Sequence, residues 1–110
     1  KNLYEEAFIA FIKNHPDEQL AENAHYWLAE AYFAKGKYQQ SAVEFLKGYQ
    51  AYPLGSKAPD NLLKLAISLG KISKKAEACG TIDKLHSEFP NASMAIKQRS
   101  NKEYSNLDCS

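Results

Sequence analysis

The sequence predicts an all-α fold, a stack of antiparallel helical hairpins with about six helices. Three observations carry this. The prolines Pro16, Pro53 and Pro90 are spaced 37 residues apart, each closing a similar tail: Phe11 to Pro16, Gly48 to Pro53, Leu85 to Pro90. Between them, apolar residues fall three and four positions apart, with no strand-like alternation. Sliding the chain by 37 also aligns Phe8 with Phe45 and Ile82, Ala21 with Ala58 and Ala95, Leu28 with Leu65, Ala29 with Ala66, and Tyr32 with Leu69. Small, bulky and proline positions recur together, which is the mark of an internal repeat rather than of chance in an Ala-rich chain.

The elements follow in order. The spacing predicts helices over about 2–14, 18–35, 38–52, 57–70, 74–88 and 92–105, with turns at 15–17, 35–37, 53–56, 71–73 and 89–91. Residues 2–14 form an amphipathic opening segment. In 18–35 the apolar stripe is Leu20, Ala24, Trp27, Leu28, Ala31 and Tyr32, and Lys35-Gly36-Lys37 supplies a residue free to turn left-handed at the helix end. In 38–52 the stripe is Tyr38, Ala42, Phe45, Leu46, Tyr49 and Tyr52. In 57–70 it is Ala58, Leu62, Leu63, Leu65, Ala66 and Leu69, and Ser56 is expected to cap the helix ahead of Pro59 and Asp60. Ser73 is expected to cap the next helix. Each proline blocks continuation of the helix before it. Short connections make neighbours antiparallel. Small residues at Ala29, Ala31, Ser41, Ala42, Ala66 and Ala78 let helices approach, and Gly48 and Gly80 are expected to do the same. One hairpin cannot bury its own apolar face, so stacked neighbours make the core.

Composition bounds the class of protein. A chain of 110 residues is one domain of ordinary size. Fourteen Lys and Arg against thirteen Asp and Glu give a net charge of +1, which argues against a dedicated nucleic-acid surface or anionic-lipid binding. Mean hydropathy is −0.52, and no apolar run approaches the roughly 18–20 residues of a membrane span. Two cysteines without C-x-x-C spacing or paired histidines make neither a disulfide miniprotein nor a structural zinc site. The chain opens at Lys1 directly on an amphipathic segment, so it is expected to be a mature fragment or a domain cut from a longer protein; a removed signal peptide would leave no trace.

The pattern Leu28-Ala29-x-x-Tyr32, Gly36-x-Tyr38, Ser41, Phe45 and Pro53 resembles the tetratricopeptide repeat (TPR), and Leu65-Ala66-x-x-Leu69, Ala78, Ile82 and Pro90 resembles a second copy. The large first-helix aromatic of that pattern is His25 in one copy and Leu62 in the other. The resemblance implies a right-handed superhelix. It divides one domain, 1–110, into a partial repeat ending in helix 2–16, repeats at 17–53 and 54–90, a closing helix at 91–106 and a tail at 107–110. Longer strings carry a narrower match. The run Asn23 to Tyr32, the run Ser56 to Leu65, the pattern Glu77-Ala78-Cys79-x-Thr81-Ile82-x-x-Leu85-x-x-x-Phe89-Pro90, and a cysteine near the C-terminus, Cys109, resemble the YbgF/CpoB family of the periplasmic Tol-Pal system. In that family a coiled-coil trimerisation segment, missing from this chain, precedes the TPR domain. The resemblance implies a Gram-negative periplasmic protein that binds TolA and coordinates outer-membrane constriction with septal peptidoglycan synthesis. Two alternatives stay open: a TPR scaffold of another envelope assembly, such as an outer-membrane assembly lipoprotein, and an enzyme using TPRs as an accessory arm.

No catalytic residue, metal site or cofactor is expected. His15 and His86 lie near helix ends, where a cation meets free carbonyls. His25 is expected to be a packed, hydrogen-bonded residue, and Ser41 a small residue at a helix crossing. Glu5 and Glu6, like Asp17 and Glu18, read as exposed acids at helix starts. There is no glycine-rich phosphate loop. Trp27 is expected to pack on Phe8 and Phe11 or to stand as a partly exposed anchor.

Stacked TPR hairpins line an inner groove with one side of each first helix. That side should hold Asn23, Tyr26, Glu30 and Phe33 on one helix and Asp60, Leu63, Ile67 and Lys71 on the other. Exposed apolar anchors with polar flanks would suit a peptide or helix; the alternative is that some of them pack against the neighbouring coil or a second subunit. A carboxylate clamp for chaperone tails fits poorly, because the carboxylate would meet Glu30. Cys79 and Cys109 can pair if the closing helix runs back along 74–88, and the periplasm would permit the bond. The competing reading, an inert buried Cys79 and a Cys109 in a disordered tail, stays open.

Overall fold

The computed structural model describes residues 3–14 and 19–110. Six helices run among them: α1 (Leu3–Asn14), α2 (Gln19–Ala34), α3 (Tyr38–Ala51), α4 (Ala58–Lys71), α5 (Lys75–Glu88) and α6 (Met94–Asn106). The expected turn at 15–17, with His15, Asp17 and Glu18, lies outside the described residues. Each helix packs on the next, and α4 also packs on α6. Helices α2, α4 and α6 therefore make one layer, and α1, α3 and α5 the other. The fold is a TPR-like array of helical hairpins measuring 41 × 28 × 19 Å.

Burial repeats with the sequence. Ala21 and Ala58, Ala29 and Ala66, and Phe45 and Ile82 are each 0% exposed. The alanines let crossing helices approach, and the bulky pair fills the space so formed. Burying one such side chain contributes about 1.5–3 kcal/mol. Ser41 sits at the α3–α4 crossing as expected, and its hydroxyl lies 2.8 Å from that of the equally buried Ser68. Gly48 meets the buried amide of Asn61, which a Cβ would approach to 3.1 Å, whereas nothing lies within 4 Å of a Cβ on Gly80. Close packing accounts for the first glycine and not for the second.

Three helices end in the same way. At Gly36, Ser73 and Asp108 φ is +74°, +64° and +59°. In each case the following N–H reaches back to a carbonyl five residues earlier: Lys37 to Tyr32 at 2.9 Å, Lys74 to Leu69 at 2.9 Å, Cys109 to Tyr104 at 3.0 Å. These are Schellman closures, which satisfy carbonyls a helix end leaves free. Ser73 is thus the left-handed closing residue of α4, not the cap of α5, whose N-cap is Lys74. Ser56 is not a cap either. The cap position of α4 is Lys57, and its helix start is satisfied from outside by Glu22. At α6, Ser93 accepts the N–H of Ile96 at 3.2 Å, so that helix begins two residues later than expected.

Glu5 departs from its expectation as an exposed acid at a helix start, and Glu22, in the first turn of α2, is buried as well. Glu5 is buried and forms an ion pair with Lys35 at the end of α2. Glu22 is 2% exposed. Both are held by partners on other segments.

The closing helix is fastened covalently. Cys79 on α5 and Cys109 are joined by a disulfide, with Cα atoms 5.6 Å apart. Cys109 is brought there by the Schellman turn at Asp108, so residues 107–109 are an ordered closure and not a disordered tail. In the middle of α6, the hydroxyl of the buried Ser100 also meets α5, 2.9 Å from His86 Nε2.

Candidate partner-binding face

The layer of α2, α4 and α6 carries the residues expected to meet a partner, but not all in the expected way. Glu30 and Phe33 are half-buried and Lys71 is exposed. Tyr26, Leu63 and Ile67, expected as exposed anchors, are only 6%, 6% and 3% exposed. Tyr26 packs on Phe45 with ring centroids 5.7 Å apart. Leu63 and Ile67 share a core cluster with Leu62 and Leu85, against which Ile96 of α6 also packs. The reason is the position of α4. It packs on α3, α5 and α6, so most of its apolar residues, Leu63 and Ile67 included, are buried and its polar stripe is left towards solvent. Asn23 stands apart at the start of the layer, its Oδ1 accepting from Gln19 at 3.4 Å.

What the structure brings together is a seam between α2 and α4. Lys57, Lys64 and Lys71 recur every seven residues, two turns apart, and so form one stripe on α4. Each cation lies over an aromatic ring. Lys57 Nζ is 4.9 Å from the Tyr26 ring and 5.6 Å from that of Trp27. Lys64 is 5.1 Å from Phe33, and Lys71 is 5.8 Å from Tyr38. Such contacts are worth about 0.5–1 kcal/mol where exposed. Lys64 also pairs with Glu30 at 3.1 Å, both partly exposed. Sequence reasoning missed Lys57, Lys64 and Tyr38. The signal that could have found the lysines is their seven-residue spacing, of which only Lys71 was among the expected groove residues.

The electrostatics follow from burial. Burial pushes the Tyr26 phenol well above its ordinary range, with the Glu30 and Asp60 charges adding to it. Desolvation also raises the Asp60 carboxyl, against the opposing charge of Lys57. Among the described residues no group of three His, Cys, Asp or Glu side chains could hold a metal ion.

Trp27 is 49% exposed. Its ring meets Tyr26 edge-on at 5.3 Å, and it shares a surface depression of about 500 Å³ with Tyr4 and Phe8 of α1. At the other end of the layer, a cleft of about 390 Å³ opens between the ends of α2, α4 and α6. The face therefore offers half-exposed aromatic surface at both ends, with a lysine–aromatic seam between.

No helix among the described residues is long and apolar enough to cross a membrane. No curated protein matches the chain. Residues 60–92, which span most of α4, all of α5 and their flanking turns, match the tetratricopeptide repeat, a repeat that serves protein–protein interaction.

Proposed function

We propose that this chain is a non-catalytic adaptor domain of the Tol-Pal cell-envelope system, binding TolA through the α2/α4/α6 face and working in the periplasm of a Gram-negative cell. In this reading it helps coordinate outer-membrane constriction with septal peptidoglycan synthesis, and a preceding coiled coil gathers it into a trimer. The observation that carries the binding face is the seam of half-exposed aromatics and lysines, with Trp27 as its most exposed anchor. A large rigid aromatic of this kind is the usual centre of a protein interface. The Cys79–Cys109 disulfide supports an oxidising compartment, because such bonds persist outside the cytosol. The resemblance of the long sequence strings to the Tol-Pal family supplies the partner.

The test is titration of purified TolA into the domain, followed by calorimetry. Saturable binding is expected, weakened about tenfold by Trp27→Ala, since an exposed anchor costs about 1–3 kcal/mol on truncation. Leu46→Ala, on the opposite layer, should leave the affinity unchanged. Absence of binding would overturn the choice of partner. Binding lost in Leu46→Ala and kept in Trp27→Ala would overturn the choice of face.

A further inference from the structure

We infer that the cleft between the ends of α2, α4 and α6 is a specificity pocket for an acidic partner segment, one that inserts a large apolar or aromatic side chain flanked by carboxylates. This rests on the reading of the α2/α4/α6 layer as the partner-binding face, and adds the chemistry of what binds there.

The cleft has the volume of a small recognition site, about 390 Å³. Its apolar lining comes from Phe33, Ile67 and Leu107. The Phe33 ring stands edge-to-face with Tyr38 at 5.2 Å, an arrangement a third ring or a branched aliphatic side chain can extend. Leu107 closes the far wall, lying so near Gly70 that a Cβ there would be 3.2 Å from its Cδ2. The pocket is thus built from four helices, α3 contributing Tyr38, and the residue closing it stands two positions before the disulfide-bonded Cys109.

Charge gives the sign of the occupant. Lys71 and Arg99 both line the cleft, against one carboxylate, Glu103. Lys71 is exposed, with the Tyr38 ring beneath it and no carboxylate within ion-pair distance among the described residues. Arg99 gives its Nε to Glu103 at 3.3 Å, and its side chain is 48% exposed. A guanidinium carries five N–H donors in a planar fork, so the rest of Arg99 can meet an incoming carboxylate. Lys71 sits in the last turn of α4, where the helix dipole alone would favour a cation. Arg99 lies in the middle of α6, where it would not. Two cations over an apolar floor select an apolar side chain with acids beside it and repel the same side chain flanked by lysines.

The experiment uses two blocked pentapeptides, Gly-Glu-Phe-Glu-Gly and Gly-Lys-Phe-Lys-Gly, titrated into the nitrogen-15-labelled chain and followed by amide shifts. The acidic probe should move the amides of Phe33, Ile67, Gly70 and Leu107 in a saturable way. In the variant Lys71→Glu/Arg99→Glu its affinity should fall about five- to tenfold, and the lysine probe should gain. Both residues are exposed, so the variant is expected to fold, which its unchanged remaining spectrum verifies. No saturable shift, equal binding of the two probes, or indifference to the charge reversal would each overturn the pocket. Shifts confined to Asn23, Glu30 and Asp60 would overturn it while leaving the partner-binding face standing. Failure of TolA to bind, with the acidic probe filling the cleft, would overturn the partner and leave the pocket.

Discussion

The carboxylate of Glu22 accepts the backbone N–H of Lys57 at 3.0 Å, so a side chain from the first turn of α2 caps the start of α4. Its other oxygen accepts from Gln19 at 2.7 Å. The first N–H groups of a helix have no partner inside it. Here one of them is satisfied by a buried acid 35 residues earlier in the chain, and the charge also faces the positive end of the α4 dipole. The arrangement needs Gly55, because a Cβ there would sit 1.9 Å from the Glu22 carboxylate.

Glu22→Ala should therefore destabilise the domain by about 1.5–3 kcal/mol, the range for a hydrogen bond to a charged group. Gly55→Ala should cost a similar amount by forcing the same carboxylate away, and the double variant should cost much less than the sum. Urea unfolding of the four proteins measures the coupling. Additive losses would mean that Gly55 serves the turn and not the cap.

Acid should act on the fold in two stages. His25 is held below its ordinary value of 6.5, first by burial, with Glu44 opposing. Its Nδ1 is buried without a hydrogen bond among the described residues, and Glu44 is 3.8 Å away. The hydrogen bond expected for this residue is not made at that nitrogen. A depressed folded value means the neutral ring favours the native state. Its contribution is complete above pH 6.5 and is lost as pH falls toward the folded value. Glu5 is held below the ordinary carboxylate value of 4.5 by its hydrogen bond and ion pair with Lys35. Its contribution is present above pH 4.5 and disappears as pH falls through the lowered value. Melting temperature against pH should show both limbs. His25→Leu should remove the upper one and Glu5→Gln the lower one. A single limb unaffected by either variant would contradict the assignment.

The repeat was legible because its signals are local. Helical spacing, Pro53 and Pro90 after helix ends, and Gly36 before a Lys all act within a few residues. The buried charges were not legible, because their partners are not local. Lys35 is 30 residues from Glu5, and an acid in a first turn looks the same whether it faces water or another helix. The face of α4 failed for a different reason. Leu62, Leu63, Leu65, Ala66 and Ile67 cover most of the helix circumference, so the apolar pattern alone does not say which of them turn outward. Only the placement of α6 decides that Leu63 and Ile67 lie inside. Glu30, Phe33 and Lys71 stay partly or fully exposed, each beside a charged or aromatic neighbour on another helix.

Burial reverses one natural experiment. Tyr26→Ala with Leu63→Ala would be the obvious way to strip the partner-binding face if both side chains were exposed. Both lie in the core. Leu→Ala in a core costs about 2–5 kcal/mol, and a truncated Tyr26 also forfeits its contacts with Phe45 and Lys57. The double variant is expected to lose most of its cooperative unfolding transition, read by circular dichroism on heating. Near-native melting would show that α2 and α4 carry these side chains outward.

The disulfide should matter most where packing is least. Helix α6 is strongly polar; Ser100 is its one buried residue, and its neighbours Ile96 and Leu107 are only half-buried. The Cys79–Cys109 bond ties its end to the first half of α5 across a separation of 30 residues. Closing a loop of that size restricts the unfolded chain by about 3–4 kcal/mol in the chain-entropy account. Cys79→Ser/Cys109→Ser should lower stability by up to that amount. The loss should concentrate in α6, where amide hydrogen exchange speeds up while α2 and α3 stay protected. The same variant should weaken the acidic pentapeptide, because Leu107 forms the wall of its pocket next to the bond. Protein purified without reductant should show no titratable thiol. Two free thiols per chain, with no change in melting on adding reductant, would show that the closing helix holds its place by packing alone.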